Sequence, residues 1–228
     1  MVKKAYAVIA AAGSGRRMGG VSKPNIEILG KTLFEYVLGA FEESCVDGIV
    51  VVCSEDNEDS LRGLASGCKK PITFTRGGAT RAESVRNGIE EAGREAYLVC
   101  VHDCARPFVT PEMINETLKA AEMQGAACVC SPMTDTVKQK DPITGFVSTP
   151  ERASLFAVQT PQAFKRSLYI HAANAVGDGL KDFTDETSLL EEIGVEVCYI
   201  NRTETNMKIT AIDDVPIAEI LMKRRERL

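Results

Sequence analysis

No stretch of this 228-residue chain approaches the ~20 consecutive apolar residues that a membrane helix requires. Nor is there an excess of positive charge. Lys and Arg number 27 against 32 Asp and Glu, a net charge of −5, whereas a general nucleic-acid binder needs a basic field. Partners of both kinds, membrane and nucleic acid, are therefore not expected. The eight cysteines include no CxxC pair, and the two histidines, His102 and His171, lie far from any paired thiols; this spacing argues against a structural zinc site. Most cysteines, Cys53, Cys100, Cys128 and Cys130 among them, sit inside apolar runs, where a free thiol behaves as a small hydrophobe. That usage fits a reduced, cytoplasmic protein. Two glycine signatures are also missing. After Gly13 and Gly15 the third glycine of a dinucleotide fingerprint would fall at Met18, and no Gly-Lys-Ser/Thr follows at P-loop spacing.

What is present is an alternation of short β-branched runs with helical patterns. Strands are expected over 6–11, 48–53, 72–75, 97–101, 126–131 and 195–200. Helices are expected over 33–44, 54–65, 82–92, 111–124, 165–175 and 185–193, with a last one from 213 to the end. Near-continuous apolar strands alternating with helices predict an α/β fold: a Rossmann-like, mainly parallel sheet with helices on both faces, in a single domain over 1–228. Lys3-Lys4 followed by an apolar run imitates a short signal peptide, but the run is short and Arg16-Arg17 follows at once, so a first strand is the better reading. The segment from about 132 to 154 breaks the alternation and holds three prolines. Structureless stretches of that length usually carry function or meet a partner, and this one is expected to be a projecting arm whose tip is Asp141-Pro-Ile-Thr-Gly145.

In such sheets the ligand sits beyond the carboxyl ends of the strands, and the unusual residues cluster there. Gly13-Ser14-Gly15-Arg16-Arg17 follows the first strand. Paired guanidinium groups suit phosphate oxygens, and Lys23 adds a point charge nearby. Arg76-Gly77-Gly78-Ala79-Thr80-Arg81 opens a helix; Thr80 and Glu83 are spaced as a capping box, and Arg81 and Ser84 are candidates to face a ligand. His102-Asp103-Cys104-Ala105-Arg106-Pro107 ends a buried strand. Asp103 could anchor a divalent metal carried by nucleotide phosphates, accept a substrate hydroxyl, or pair structurally with Arg106. Thr134-Asp135-Thr136-Val137-Lys138 follows the fifth strand, and Asn206-Met207-Lys208-Ile209-Thr210 the last.

Taken together, Ala11–Met18, Gly77–Val85, Val101–Pro107, Asp135–Lys138, Gln159–Gln162, Thr184–Thr187 and Asn206–Thr210 resemble the 2-C-methyl-D-erythritol 4-phosphate cytidylyltransferases, and the resemblance runs from Ala7 to about Val215. It implies a nucleotidyltransferase-type fold and an enzyme of non-mevalonate isoprenoid biosynthesis. CTP and a sugar-alcohol phosphate are joined into a CDP-alcohol with release of pyrophosphate, and magnesium bridges the triphosphate. The catalytic residues it implies are Arg17, Lys23, Asp103, Arg152 and Lys208, with Asp103 also close to the metal. The substrate-binding residues are Ala11, Ala12, Gly13, Ser14, Gly15, Arg16, Gly77, Gly78, Arg81, Ser84, Arg106, Asp135, Thr136 and Thr160. The resemblance further implies a homodimer in which the arms are exchanged, so that Thr136 and Arg152 serve the neighbouring subunit. One departure stands out: the family's Pro-Lys-Gln is here Lys23-Pro24-Asn25, and Lys23 must reach the phosphates from a position one residue earlier. Two alternatives remain at this point, a CDP-ribitol pyrophosphorylase using ribitol 5-phosphate and an inactive nucleotide-binding protein on the same fold.

Overall fold

The computed structural model describes residues 3–13 and 22–225. The chain begins with β1 (Lys4–Ala10), a turn over Lys23–Asn25, β2 (Glu27–Ile28), β3 (Lys31–Thr32) and α1 (Leu33–Glu43). It continues with β4 (Gly48–Cys53), α2 (Glu58–Leu64), β5 (Ile72–Arg76), α3 (Arg81–Glu91), β6 (Ala96–Asp103) and α4 (Pro111–Gln124). The second half comprises β7 (Ala126–Pro132), β8 (Gln139–Lys140), β9 (Val147–Ser148), β10 (Phe156–Lys165), α5 (Arg166–Val176), α6 (Glu186–Glu192), β11 (Val197–Asn201) and α7 (Asp214–Arg225).

Seven strands form one sheet in the order β11-β7-β10-β6-β1-β4-β5. All run parallel except β10, which lies antiparallel between β6 and β7. The expected two-sided burial is present: β4, Gly-Ile-Val-Val-Val-Cys, is buried at every position, as a strand covered on both faces must be. Alternate side chains feed two cores. Ile9 and Val51 join Phe34, Phe41, Leu61 and Ile114 under α1, α2 and α4. Val8 and Val52 join Val85, Ile89, Tyr169 and Leu190 under α3, α5 and α6. A third cluster, Ile26, Ile28, Leu33, Phe108, Ile209, Ala218 and Met222, lets α7 close over the small β2–β3 hairpin.

Three differences from the sequence reading have physical causes. The antiparallel β10 is missed because Pro161 sits inside it, and a proline in a run argues against a central strand. The sheet tolerates it where the β10–β7 pairing is irregular, between Val158 and Gln162. The helix expected from Ser54 begins only at Glu58, because Ser54 to Asn57 form a separate turn. Asp103 is the last residue of β6 rather than the start of the loop after it.

The arm expected over 132–154 carries its own small hairpin, β8 with β9. Its tip closes as anticipated: Asp141 N–H donates to Phe146 O at 2.9 Å, and the Asp141 carboxylate accepts from Ile143 and Thr144 N–H at 2.9 and 2.6 Å. Ile143 at its end is 92% exposed and Phe146 69%, so the arm carries apolar surface that this chain does not cover.

Candidate active site

At the carboxyl edge of the sheet a cavity of about 670 Å³ opens, lined by the end of β1 (Ala10 to Gly13), by Lys23 and Pro24, by Gly78 to Arg81 with Ser84, by Asp103 to Ala105, and by Lys208. That volume is within the ordinary range for small-molecule sites. Five separate parts of the chain meet there, as expected where the loops that follow parallel strands converge.

The wall formed by α3 is built by helix-start chemistry. Thr80 Oγ1 accepts from Glu83 N–H at 3.1 Å, and the Glu83 carboxylate accepts from Thr80 N–H at 3.0 Å, completing the capping box. Ser84 Oγ donates to Thr80 O at 2.8 Å and accepts from Gly78 N–H at 3.0 Å, so its hydroxyl shapes the loop as well as facing the cavity. The glycines are required by close approach. A Cβ on Gly77 would stand 2.6 Å from Ala12 Cβ and 2.9 Å from Ser84 Oγ; one on Gly78 would stand 2.4 Å from Glu83 Cβ.

Asp103 is the only carboxylate lining the cavity among the described residues. Its Oδ1 accepts from Arg81 Nε at 3.2 Å and its Oδ2 from Lys208 Nζ at 2.6 Å. Burial by itself would raise this carboxyl, but the charges of Arg81 and Lys208 outweigh burial and hold it below the usual carboxylate range. It is ionised throughout the physiological range. Arg81 is held in turn by Glu186, whose two oxygens accept from Nη1 and Nη2 at 2.8 and 3.1 Å. Burial disfavours the Arg81 charge, yet Glu186 and Asp103 more than restore it.

Behind the cavity a buried relay sets the Asp103 backbone. Thr160 Oγ1 accepts from Asp103 N–H at 3.1 Å and lies 3.0 Å from His102 Nδ1; His102 Nε2 lies 3.1 Å from the Arg106 carbonyl oxygen. A carbonyl can only accept, so Nε2 carries the ring proton and Nδ1 accepts from the Thr160 hydroxyl. Burial drops the His102 pKa to about 4, so the ring is neutral at pH 7.

The remaining motifs interlock around this relay. Gln162 Oε1 accepts from Glu186 and Thr187 N–H at 3.1 and 3.3 Å, and its Nε2 donates to Asp185 Oδ2 at 3.0 Å, fixing the start of α6 and with it Glu186. Asn206 Nδ2 donates to Gln159 Oε1 and Thr160 O at 3.0 and 2.8 Å. Arg106 Nη1 donates to Asn206 O at 2.8 Å, and Ile209 N–H to Ala105 O at 2.8 Å. These bonds carry Lys208 across to Asp103.

Of the residues singled out in the sequence, Ala11, Ala12, Gly13, Lys23, Gly78, Arg81, Ser84, Asp103 and Lys208 line one cavity. Gly77 lies against that wall. Thr160 and Arg106 stand behind it, the Thr160 hydroxyl and Arg106 Nη1 engaged as described, while Arg106 Nε is buried without a partner among the described residues. Asp135, Thr136 and Arg152 lie on the exposed arm; none lines the cavity, and Arg152 donates to Thr134 O at 3.0 Å. Ser14, Gly15, Arg16 and Arg17 lie outside the described residues. Sequence reasoning gave no role to Glu186, Gln162 or Asn206 individually. Their signal was only that each falls in a motif at the end or start of an element, and their partners are distant in the chain.

Comparison with known proteins bears on the same arrangement. The sequence model of the family described as 2-C-methyl-D-erythritol 4-phosphate cytidylyltransferase matches residues 5–224. The chain is 39% identical to the 2-C-methyl-D-erythritol 4-phosphate cytidylyltransferase of Rubrobacter xylanophilus, covering 98% of this chain and 96% of that one. It is 38% identical to a "Bifunctional enzyme IspD/IspF" of Anaeromyxobacter, of whose length it spans 58% while 97% of this chain is covered. Among solved structures it is similar to the 4-diphosphocytidyl-2C-methyl-D-erythritol synthase of Anaerococcus prevotii, with a TM-score of 0.88 at 29% identity and 97% of both chains covered.

Proposed function

Because the chain belongs to the 2-C-methyl-D-erythritol 4-phosphate cytidylyltransferase family, we propose that CTP and the sugar-alcohol phosphate meet in the cavity at the carboxyl edge of its sheet. The family's reaction is cytidylyl transfer in isoprenoid biosynthesis, and the family match favours neither the ribitol nor the inactive alternative. The observation that carries the placement is the single ionised carboxylate, Asp103, closed between Arg81 and Lys208 inside that cavity.

The acceptor phosphate attacks the α-phosphorus of CTP in line and pyrophosphate leaves. The protein's work is positioning and charge neutralisation. Lys208 and Lys23, which both line the cavity, neutralise phosphate oxygens, with Arg17 assigned to the same task from the glycine loop. Ala11 to Gly13 and Gly78 offer closely approachable backbone to the nucleotide, and Ser84 closes that wall. Asp103 aims Lys208 through Oδ2, and Arg81 holds Asp103 through Oδ1. Arg106 and Thr160 act on the acceptor side by shaping the floor.

Magnesium fits this lining in one mode. The described residues include no cluster of three or more His, Cys, Asp or Glu that could cage an ion, whereas Mg²⁺ is commonly held by one carboxylate together with substrate phosphates. Asp103 would be that carboxylate, and the ion would supply charge neutralisation on the leaving pyrophosphate.

The exposed arm supports a homodimer by arm exchange. Asp135, Thr136 and Arg152 are remote from their own chain's cavity lining, and Ile143 and Phe146 offer apolar surface for a second copy. Among the described residues no helix is long and apolar enough to cross a membrane, and the buried thiols support a reducing, cytoplasmic setting. The test is pyrophosphate release from CTP with methylerythritol phosphate and, separately, ribitol 5-phosphate. Turnover with the first is expected. Turnover confined to the second overturns the acceptor assignment, and CTP binding without release with either overturns the enzymatic one.

A further inference from the structure

We propose that Asn57, a buried residue that belongs to none of the site's sequence motifs, is a positioning residue that fixes Lys23 relative to the end of β1 and so sets where the Lys23 charge stands in the nucleotide cavity. Its side-chain amide ties two segments of the cavity lining together. Asn57 Nδ2 donates to Ala11 O at 2.9 Å and to Ser22 Oγ at 3.2 Å, while its Oδ1 accepts from Ser54 N–H at 2.9 Å. Ala11 lines the cavity, and Ser22 immediately precedes Lys23 and Pro24, which line it as well.

The orientation is not explained by local helix chemistry. Asparagine at a helix start ordinarily accepts an N–H of its own first turn, and Asn57 makes no such cap on α2. Its oxygen turns back to Ser54 and its NH₂ points across the fold. With 1% of its surface exposed, every polar atom of the side chain is nonetheless bonded. A second tie comes from the same helix, where Ser60 Oγ donates to Asn25 Oδ1 at 3.2 Å. The clamped turn is closed on itself by Asn25 N–H to Ser22 O and Ile26 N–H to Lys23 O, both at 3.0 Å. The turn is thereby tied both to itself and to the start of α2.

Lys23 is a compact charge on a flexible stem, so the anchor of its backbone decides which phosphate oxygens it reaches. Misplacement of a binding group by ~1 Å can cost on the order of 100-fold. This inference rests on the assignment of the cavity to CTP, and the experiment separates the two. Steady-state kinetics at saturating acceptor are measured for wild type, Asn57→Ala, Lys23→Ala and the double variant, with thermal unfolding recorded for each. Asn57→Ala is expected to lower kcat/KM for CTP by roughly 10-fold, mainly through KM, with the acceptor KM within about twofold of wild type. If Asn57 acts through Lys23, the double variant is no worse than Lys23→Ala alone. Ser22→Ala, which removes one of the bonds from a half-buried position, gives a smaller loss in the same direction and carries the test if Asn57→Ala folds poorly. Wild-type KM for CTP in Asn57→Ala and Ser22→Ala overturns the proposal, as do a neutral Lys23→Ala or effects that multiply in the double variant. A wild-type protein that releases no pyrophosphate from CTP overturns instead the functional reading beneath it.

Discussion

Replacing Thr160 by Val probes the relay under Asp103 with almost no change of volume. Thr160 is 3% exposed, and its hydroxyl makes two bonds: one accepted from Asp103 N–H at 3.1 Å, one donated to His102 Nδ1. Valine makes neither. Leaving a buried donor or acceptor unsatisfied costs about 1–3 kcal/mol each, so two orphaned groups predict a loss of roughly 2–6 kcal/mol. For a chain of this length each kcal/mol lowers Tm by about 2–4 °C, giving a fall on the order of 4–24 °C. Chemical denaturation at pH 7 reads the first figure and a thermal scan the second. Thr160→Ser keeps the hydroxyl and is expected to recover most of both. A Thr160→Val protein within about 0.5 kcal/mol of wild type, the scatter of neutral surface changes, would refute the relay. Such a result would leave Thr160 available for direct contact with the acceptor.

Further outcomes follow from the same geometry. The His102 pKa is lowered to about 4 in the fold from 6.5, so the unfolded chain binds the proton first; stability is fully present above pH 6.5 and is lost as pH falls toward 4, by roughly 3 kcal/mol. Denaturant titrations at pH 7 and pH 4 are expected to show that slope, and His102→Gln to flatten it. Gly77→Ala drives a methyl to 2.6 Å from Ala12 and is expected to cost about 1–3 kcal/mol of stability while raising KM for CTP more than it lowers kcat. Glu186→Gln removes the charged partner of Arg81 at 2.8 and 3.1 Å; breaking a buried pair costs about 3–5 kcal/mol, and kcat/KM is expected to fall with it. An unchanged melting point in that variant would mean that Asp103 and the Thr184 carbonyl suffice to hold Arg81.

Much of this architecture is legible in residue order. β4 and β6 are nearly unbroken apolar runs because both faces of the sheet are covered, and the capping box at Thr80 and Glu83 is a spacing of three residues. The clustering of Gly77, Asp103 and Lys208 at one edge follows once the strands are known to be parallel. Other features are legible only in three dimensions. Pro161 hides β10, since the rule that excludes proline from central strands has its exception where the pairing is interrupted. Thr160 reads as a polar residue beside a site, yet its hydroxyl is used behind the wall. Glu186, Gln162 and Asn57 act on partners 105, 24 and 46 residues away, distances that no local pattern encodes. The order Lys23-Pro24 looks like a displaced lysine in the sequence, and in the fold the turn that carries it is pinned to the end of β1.

The central claim is that Asp103, held ionised between Arg81 and Lys208, organises cytidylyl transfer. The most direct measurement is the rate of pyrophosphate release from CTP and methylerythritol phosphate by wild type and by Asp103→Asn, at a temperature where both are folded. Loss of the carboxylate charge is expected to lower kcat/KM by at least ~100-fold, equivalent to about 2.7 kcal/mol of transition-state stabilisation. Equal rates for the two proteins would contradict the account.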